Sequence, residues 1–165
     1  MMNLTEDPFI PLIKEDYRPV FKLYPVQLPE IKSGAAYYFK TESGLHYEVL
    51  FAKKKDNYLE NIINFSVLNE EFEDEYSVTN RGEIYRVMAT VIEIILIYHE
   101  NHAYSVSYEF SGEFKKGNEN RPTSIRTFLY YRKAKQIINP AWNIQLSGNK
   151  VIVHRKRPHH GKPNY

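Results

Sequence analysis

The chain has 165 residues, 42% of them hydrophobic and 25% charged, which is the sequence of about one domain with enough apolar content for a real core. With no cysteine it has no disulfide, no thiolate metal site and no thiol nucleophile, a composition that fits a reducing cytoplasm. The net charge of +2 conceals a polarised chain: residues 120–165 hold ten Lys and Arg and no acid, while the other twelve bases and all twenty acids precede them, a balance of −8. Such asymmetry points to a polyanionic partner, or to one part of the protein holding another.

The beginning, MMNLTEDPFIPLIKEDY, lacks a basic stretch followed by an apolar one and is not read as a signal peptide. Residues 1–34 contain Pro8, Pro11, Pro19, Pro25 and Pro29, which disfavour a long helix or a central strand. Phe9, Ile10, Leu12, Val20, Phe21, Leu23 and Tyr24 lie between the prolines. That mixture predicts an extended arm lying over the core or over a partner subunit.

From residue 35 the period becomes two. AAYYFKT, the turn ESG and LHYEVLFAKK predict a hairpin whose Leu45, Tyr47, Val49 and Phe51 share one face, opposite His46 and Glu48. NIINFSVLN repeats the pattern with Ile63, Phe65 and Val67, and YSVTN is expected as a short fourth strand after the acidic NEEFEDE. From Glu83 the period is 3.6: Ile84, Val87, Met88, Val91, Ile92, Ile95 and Tyr98 line one helix face. Thr79 or Asn80 is the expected cap. VIEIILIY, inside that helix, is too short to span a bilayer.

AYSVSYEFSGE alternates again, with Tyr104, Val106, Tyr108 and Phe110 on one side. A second helix is expected in RPTSIRTFLYYRKAKQ, capped by Thr123 or Ser124 and anchored by Ile125, Phe128, Leu129, Ile137 and Ile138. WNIQLSGNKVIVHR predicts a hairpin turning at Gly148-Asn149. The order implies an α+β domain over residues 35–157, with an antiparallel sheet of about five to seven strands and two helices on one face. Residues 158–165 form a basic tail.

YSVTNRGEIYRVMATVIEII and RTFLYYRKAK follow the pattern TN-x-G-[DE], V-x-ATV, R-x-x-LY. The pair resembles a group of small uncharacterised prokaryotic and phage-encoded proteins, which implies a shared fold unit carrying Thr79, Asn80, Gly82, Arg126 and Tyr130. The topology, four strands and then a helix, is similar to that of the whirly and PUR-type single-stranded nucleic-acid binders.

Arg126, Arg132, Lys133, Lys135, Lys150, Arg155, Lys156 and Arg157, interleaved with Tyr130 and Trp142, are the candidate nucleic-acid-binding residues. Cations meet phosphates, and aromatic faces stack on bases. On a helix Arg126 and Lys133 share one face and Arg132 and Lys135 another, so the charge wraps around it. The competing reading is a basic element clamped by EEFEDE of the same chain or of a neighbour. His99 and His102 in HENH miss the zincin spacing and are expected to cap a helix end. Glu113 and Lys115, with Glu109, match the E-x-K pattern of metal-dependent nucleases, but no preceding aspartate completes it. No catalytic residue, metal ligand or cofactor is assigned. The expectation is a cytoplasmic, non-enzymatic binding module for single-stranded nucleic acid, with a homo-oligomeric assembly subunit as the alternative and a nuclease third.

Overall fold

The computed structural model describes residues 10–68, 81–112 and 120–156, with the side chains of residues 81 and 82 left aside. The expected YSVTN strand, the Thr79 or Asn80 cap, Glu113, Lys115, Arg157 and the tail lie outside these residues.

The described chain is α+β. Its elements are β1 (Val26–Gln27), β2 (Ala36–Lys40), β3 (His46–Lys54), β4 (Asn57–Val67), α1 (Arg81–Asn101), β5 (Ser107–Phe110), α2 (Ile125–Ile137), β6 (Trp142–Ser147) and β7 (Lys150–Arg155). They build a seven-stranded sheet in the order β1-β2-β3-β4-β5-β7-β6. Every neighbouring pair is antiparallel except β4 with β5. A parallel pair needs a long crossover, and α1 lies in it. Gly148 sits at φ +58° at the head of the β6–β7 turn, as a two-residue hairpin with glycine first requires.

Paired residues share a face, so the register sorts the side chains. Tyr37, Phe39, Tyr47, Val49, Phe51, Ile63, Phe65, Tyr108, Phe110, Val151 and Val153 fall on one face, and all are buried. With Tyr24 of the arm, their rings make a row, Tyr24–Phe39–Tyr47–Phe65, with centroids 5.9, 5.0 and 5.2 Å apart. The alternations on this face are therefore core packing, whereas Tyr104, expected on the same side as Tyr108 and Phe110, is 47% exposed with Lys53 over its ring at 4.5 Å.

Helix α1 meets that face through Tyr98, whose ring stacks on Phe51 at 3.9 Å and whose hydroxyl donates to Asn61 Oδ1. Asn61, fully buried, passes the network on by donating from Nδ2 to the Ser107 carbonyl. At the other end of α1, Ser43 donates to Glu83 through both its backbone N–H and its hydroxyl. Arg86 lies over the Tyr24 ring at 3.8 Å and pairs with Glu42 at 2.6 Å.

The proline-rich arm is part of the fold. Val26 and Gln27 form the edge strand, and Leu12, Ile13 and Tyr24 are buried. Lys14 N–H donates to the Ile137 carbonyl at 2.8 Å, and Asn139 N–H to the Leu12 carbonyl at 2.9 Å, closing a bridge between Ile13 and Ile138. Val20, in contrast, is 88% exposed. Among the described residues no helix is long and apolar enough to cross a membrane.

Candidate nucleic-acid interface

Helix α2 is oriented by a polar knot at its first turn. Ser124 is the N-cap, its Oγ accepting from Thr127 N–H. Asn149 Oδ1 accepts from Ser124 N–H at 2.7 Å, and Asn149 Nδ2 donates to the Gly112 carbonyl at 2.7 Å. Gly112 N–H donates to Thr127 Oγ1. A β-carbon on Gly112 would stand 2.8 Å from Arg126 Cβ, so the close approach of this backbone to the helix requires glycine. The knot fixes which side of α2 faces the sheet.

That side carries Arg126, Tyr130, Ala134 and Ile137, at helical steps of four, four and three. Arg126 is 2% exposed; its guanidinium covers the Phe65 ring at 4.4 Å and its Nη1 donates to the Phe65 carbonyl. Tyr130 packs on Phe65 and Phe110. Lys133, half-buried, reaches over Tyr17 of the arm, 5.9 Å from the ring centroid.

The opposite side of α2 carries Phe128, Tyr131, Arg132 and Lys135. Arg132 and Lys135 are exposed, Tyr131 is half-buried and Phe128 is 46% exposed. Phe128, expected as a core anchor, thus points to solvent, because the inward stripe is set by Arg126 and Tyr130. Arg132 lies 5.9 Å from the Phe128 ring centroid and Lys135 5.3 Å from that of Tyr131. The outer face is an alternation of two rings and two cations, on a helix without an acid. Lys135, in the last turn, is also favoured by the negative end of the helix dipole.

The other candidates separate. Trp142 is 3% exposed; its Nε1 donates to the Pro11 carbonyl at 3.0 Å, and its ring meets His99 and Tyr108. Arg155 pairs across strands with Trp142 and is half-buried, whereas Lys156 is exposed, its N–H donating to the Ala141 carbonyl just before β6. Lys150 lies on the opposite sheet face. There it pairs with Glu109 at 3.1 Å, and Lys54 pairs with the same carboxylate at 3.0 Å. The nine candidates among the described residues therefore form no single surface. Arg132, Lys135 and Lys156 are the ones exposed without a described acid beside them.

Burial alone would raise the Glu109 carboxyl, but hydrogen bonds from Lys54 and Lys150 outweigh it and hold the group below the ordinary 4.5. A depressed acid stabilises the fold above its unfolded value, and that contribution disappears as pH falls through the folded value. Urea unfolding between neutral pH and pH about 3 should therefore show this group's contribution to stability falling from about 4.5 downward. Glu109→Gln should flatten that acid limb, and an unchanged limb would show that the two lysines do not hold the carboxylate.

The two histidines of HENH are interior. His99 Nε2–H donates to the Ile10 carbonyl, so its Nδ1, 2.6 Å from the Tyr108 hydroxyl, accepts. Burial, the largest influence on it, lowers its pKa. His102 Nδ1 faces the Tyr98 carbonyl at 2.8 Å, the helix-end contact expected of it.

A scan against protein-family models, a search of curated proteins and a search of solved structures each found no match to this chain.

Proposed function

We propose that this chain is a non-enzymatic cytoplasmic module that binds single-stranded nucleic acid along the outer face of α2. The observation that carries the reading is the solvent-facing alternation Phe128, Tyr131, Arg132, Lys135, on a helix with no acidic residue. Cations at this spacing neutralise phosphates without reading sequence, and the exposed Phe128 ring provides a face on which a base stacks.

Fluorescence anisotropy with a labelled single-stranded oligonucleotide tests this. Two or three phosphate contacts predict that affinity falls about sevenfold to twentyfold between about 50 and about 200 mM salt. No binding at the lower salt, or binding that salt does not change, would contradict the reading.

A second reading is self-association through the arm. It is favoured by the solvent-exposed stack of Phe21 on Tyr85, 5.9 Å between centroids, beside the exposed Val20. A monomer by light scattering at every concentration would remove it.

A further inference from the structure

Between α1, α2 and the sheet lies a cavity of about 80 Å³, lined by Ile92 and Ile95 of α1, Ala134 and Ile137 of α2, and by sheet side chains. Leu12 and Ile13 of the arm close one side of it. Protein interiors are packed closely enough that a void of this size is uncommon. Apart from Lys133 and the hydroxyls of Tyr108 and Tyr130 the walls are aliphatic and aromatic, which suits an apolar occupant better than a water needing two or more polar partners. The Tyr108 hydroxyl, on one lining residue, is engaged with His99. At about 15 Å³ for each water-sized atom the volume takes about five heavy atoms. Lys133 is the one charged residue of the lining. It is only half-buried, with its ammonium toward Tyr17, so it stands at the margin between the cavity and solvent.

We propose that this cavity is a binding site for a short aliphatic carboxylate of about six carbons, its tail among Ile92, Ile95 and Ala134 and its carboxylate on Lys133. The arm forms the removable wall. Residues 10–14 are tied down by hydrogen bonds from Asn139 N–H, Trp142 Nε1 and Lys14 N–H, and by the bond between His99 Nε2 and the Ile10 carbonyl. Release of this short strap would open the side of the cavity that Leu12 and Ile13 close, at the cost of exposing both residues.

Thermal unfolding of the full chain with hexanoate, and separately with hexan-1-ol, tests the proposal. Hexanoate at tenfold excess over its Kd should raise Tm by about 4 °C, and the alcohol, with the same tail, by less. Lys133→Met should erase that difference, and Ala134→Leu, which fills the cavity, should remove both effects. A separate NMR titration of the unaltered protein with hexanoate should place hexanoate protons against the Ile92 and Ile95 methyls, which keeps the test independent of how well the filled variant folds. No Tm rise with either compound would overturn the site. Equal rises that Lys133→Met leaves equal would overturn the carboxylate assignment, and contacts elsewhere would overturn the location.

Discussion

Trp142→Ala is expected to lower the stability of the fold by about 4 kcal/mol, a large part of the 5–15 kcal/mol typical of a whole domain. The indole is 3% exposed at the junction of three segments. Its N–H donates to the Pro11 carbonyl in the arm, and its ring meets His99 of α1 and Tyr108 of β5. Truncation leaves a void beside His99 and an orphaned carbonyl in the arm, two costs that add. The shift of the urea midpoint measures the loss, and a change under about 1 kcal/mol would mean that the arm is not docked through this residue. Trp142→Phe, which keeps much of the volume and loses the donor, should cost less than half as much.

Arg126 and the pair Arg132 and Lys135 are expected to behave in opposite ways, although all three are cations of one helix. Arg126→Met removes a buried guanidinium from the Phe65 ring and its hydrogen bond to the Phe65 carbonyl. A loss of about 2–3 kcal/mol of stability is expected, with the oligonucleotide affinity of the remaining folded molecules unchanged. Combined Arg132→Ala and Lys135→Ala should leave stability within about 0.5 kcal/mol, since both side chains are exposed. That variant should instead weaken oligonucleotide binding at least tenfold at low salt. Phe128→Ala should add a loss of about 1–3 kcal/mol of binding free energy if a base stacks there. Denaturation and anisotropy on the same preparations separate the two outcomes.

Much of the local structure was legible because it depends on spacing. The period of two in LHYEVLFAKK placed Tyr47, Val49 and Phe51 on the buried face, and the 3.6 period of α1 placed Val87, Val91 and Tyr98. Ser124 was recognisable as a cap because a hydroxyl before an apolar-periodic run satisfies the first free N–H groups. The strand in the arm was not legible: Val26 and Gln27 stand between prolines, and only a sheet edge accepts two such residues. The insertion of β5 between β4 and β7 joins segments about fifty residues apart, which no local pattern encodes.

The candidate site was legible in composition and not in direction. Charge made Arg126 look like surface, but a guanidinium that can lie on a ring and donate to a carbonyl is the cation best able to be buried. Phe128 looked like core for the converse reason, that an aromatic ring is usually inside. Steps of three and four from Arg126 through Tyr130 to Ile137 would have placed Phe128, Arg132 and Lys135 together outside, once Arg126 was allowed to point inward. Trp142 carried a usable signal, since it alternates with Ile144 and Leu146. The lysines on Glu109 come from strands far apart in sequence, and only the sheet register unites them.

Phosphate binding on the outer side of α2, as proposed above, is tested most directly by a comparison of salt slopes. The logarithm of oligonucleotide affinity against the logarithm of salt concentration should be linear for the unaltered protein, and its slope should become shallower by about 1.4 when Arg132 and Lys135 are both alanine. Parallel lines for the two proteins, however strongly either binds, would put the phosphates somewhere else on the molecule.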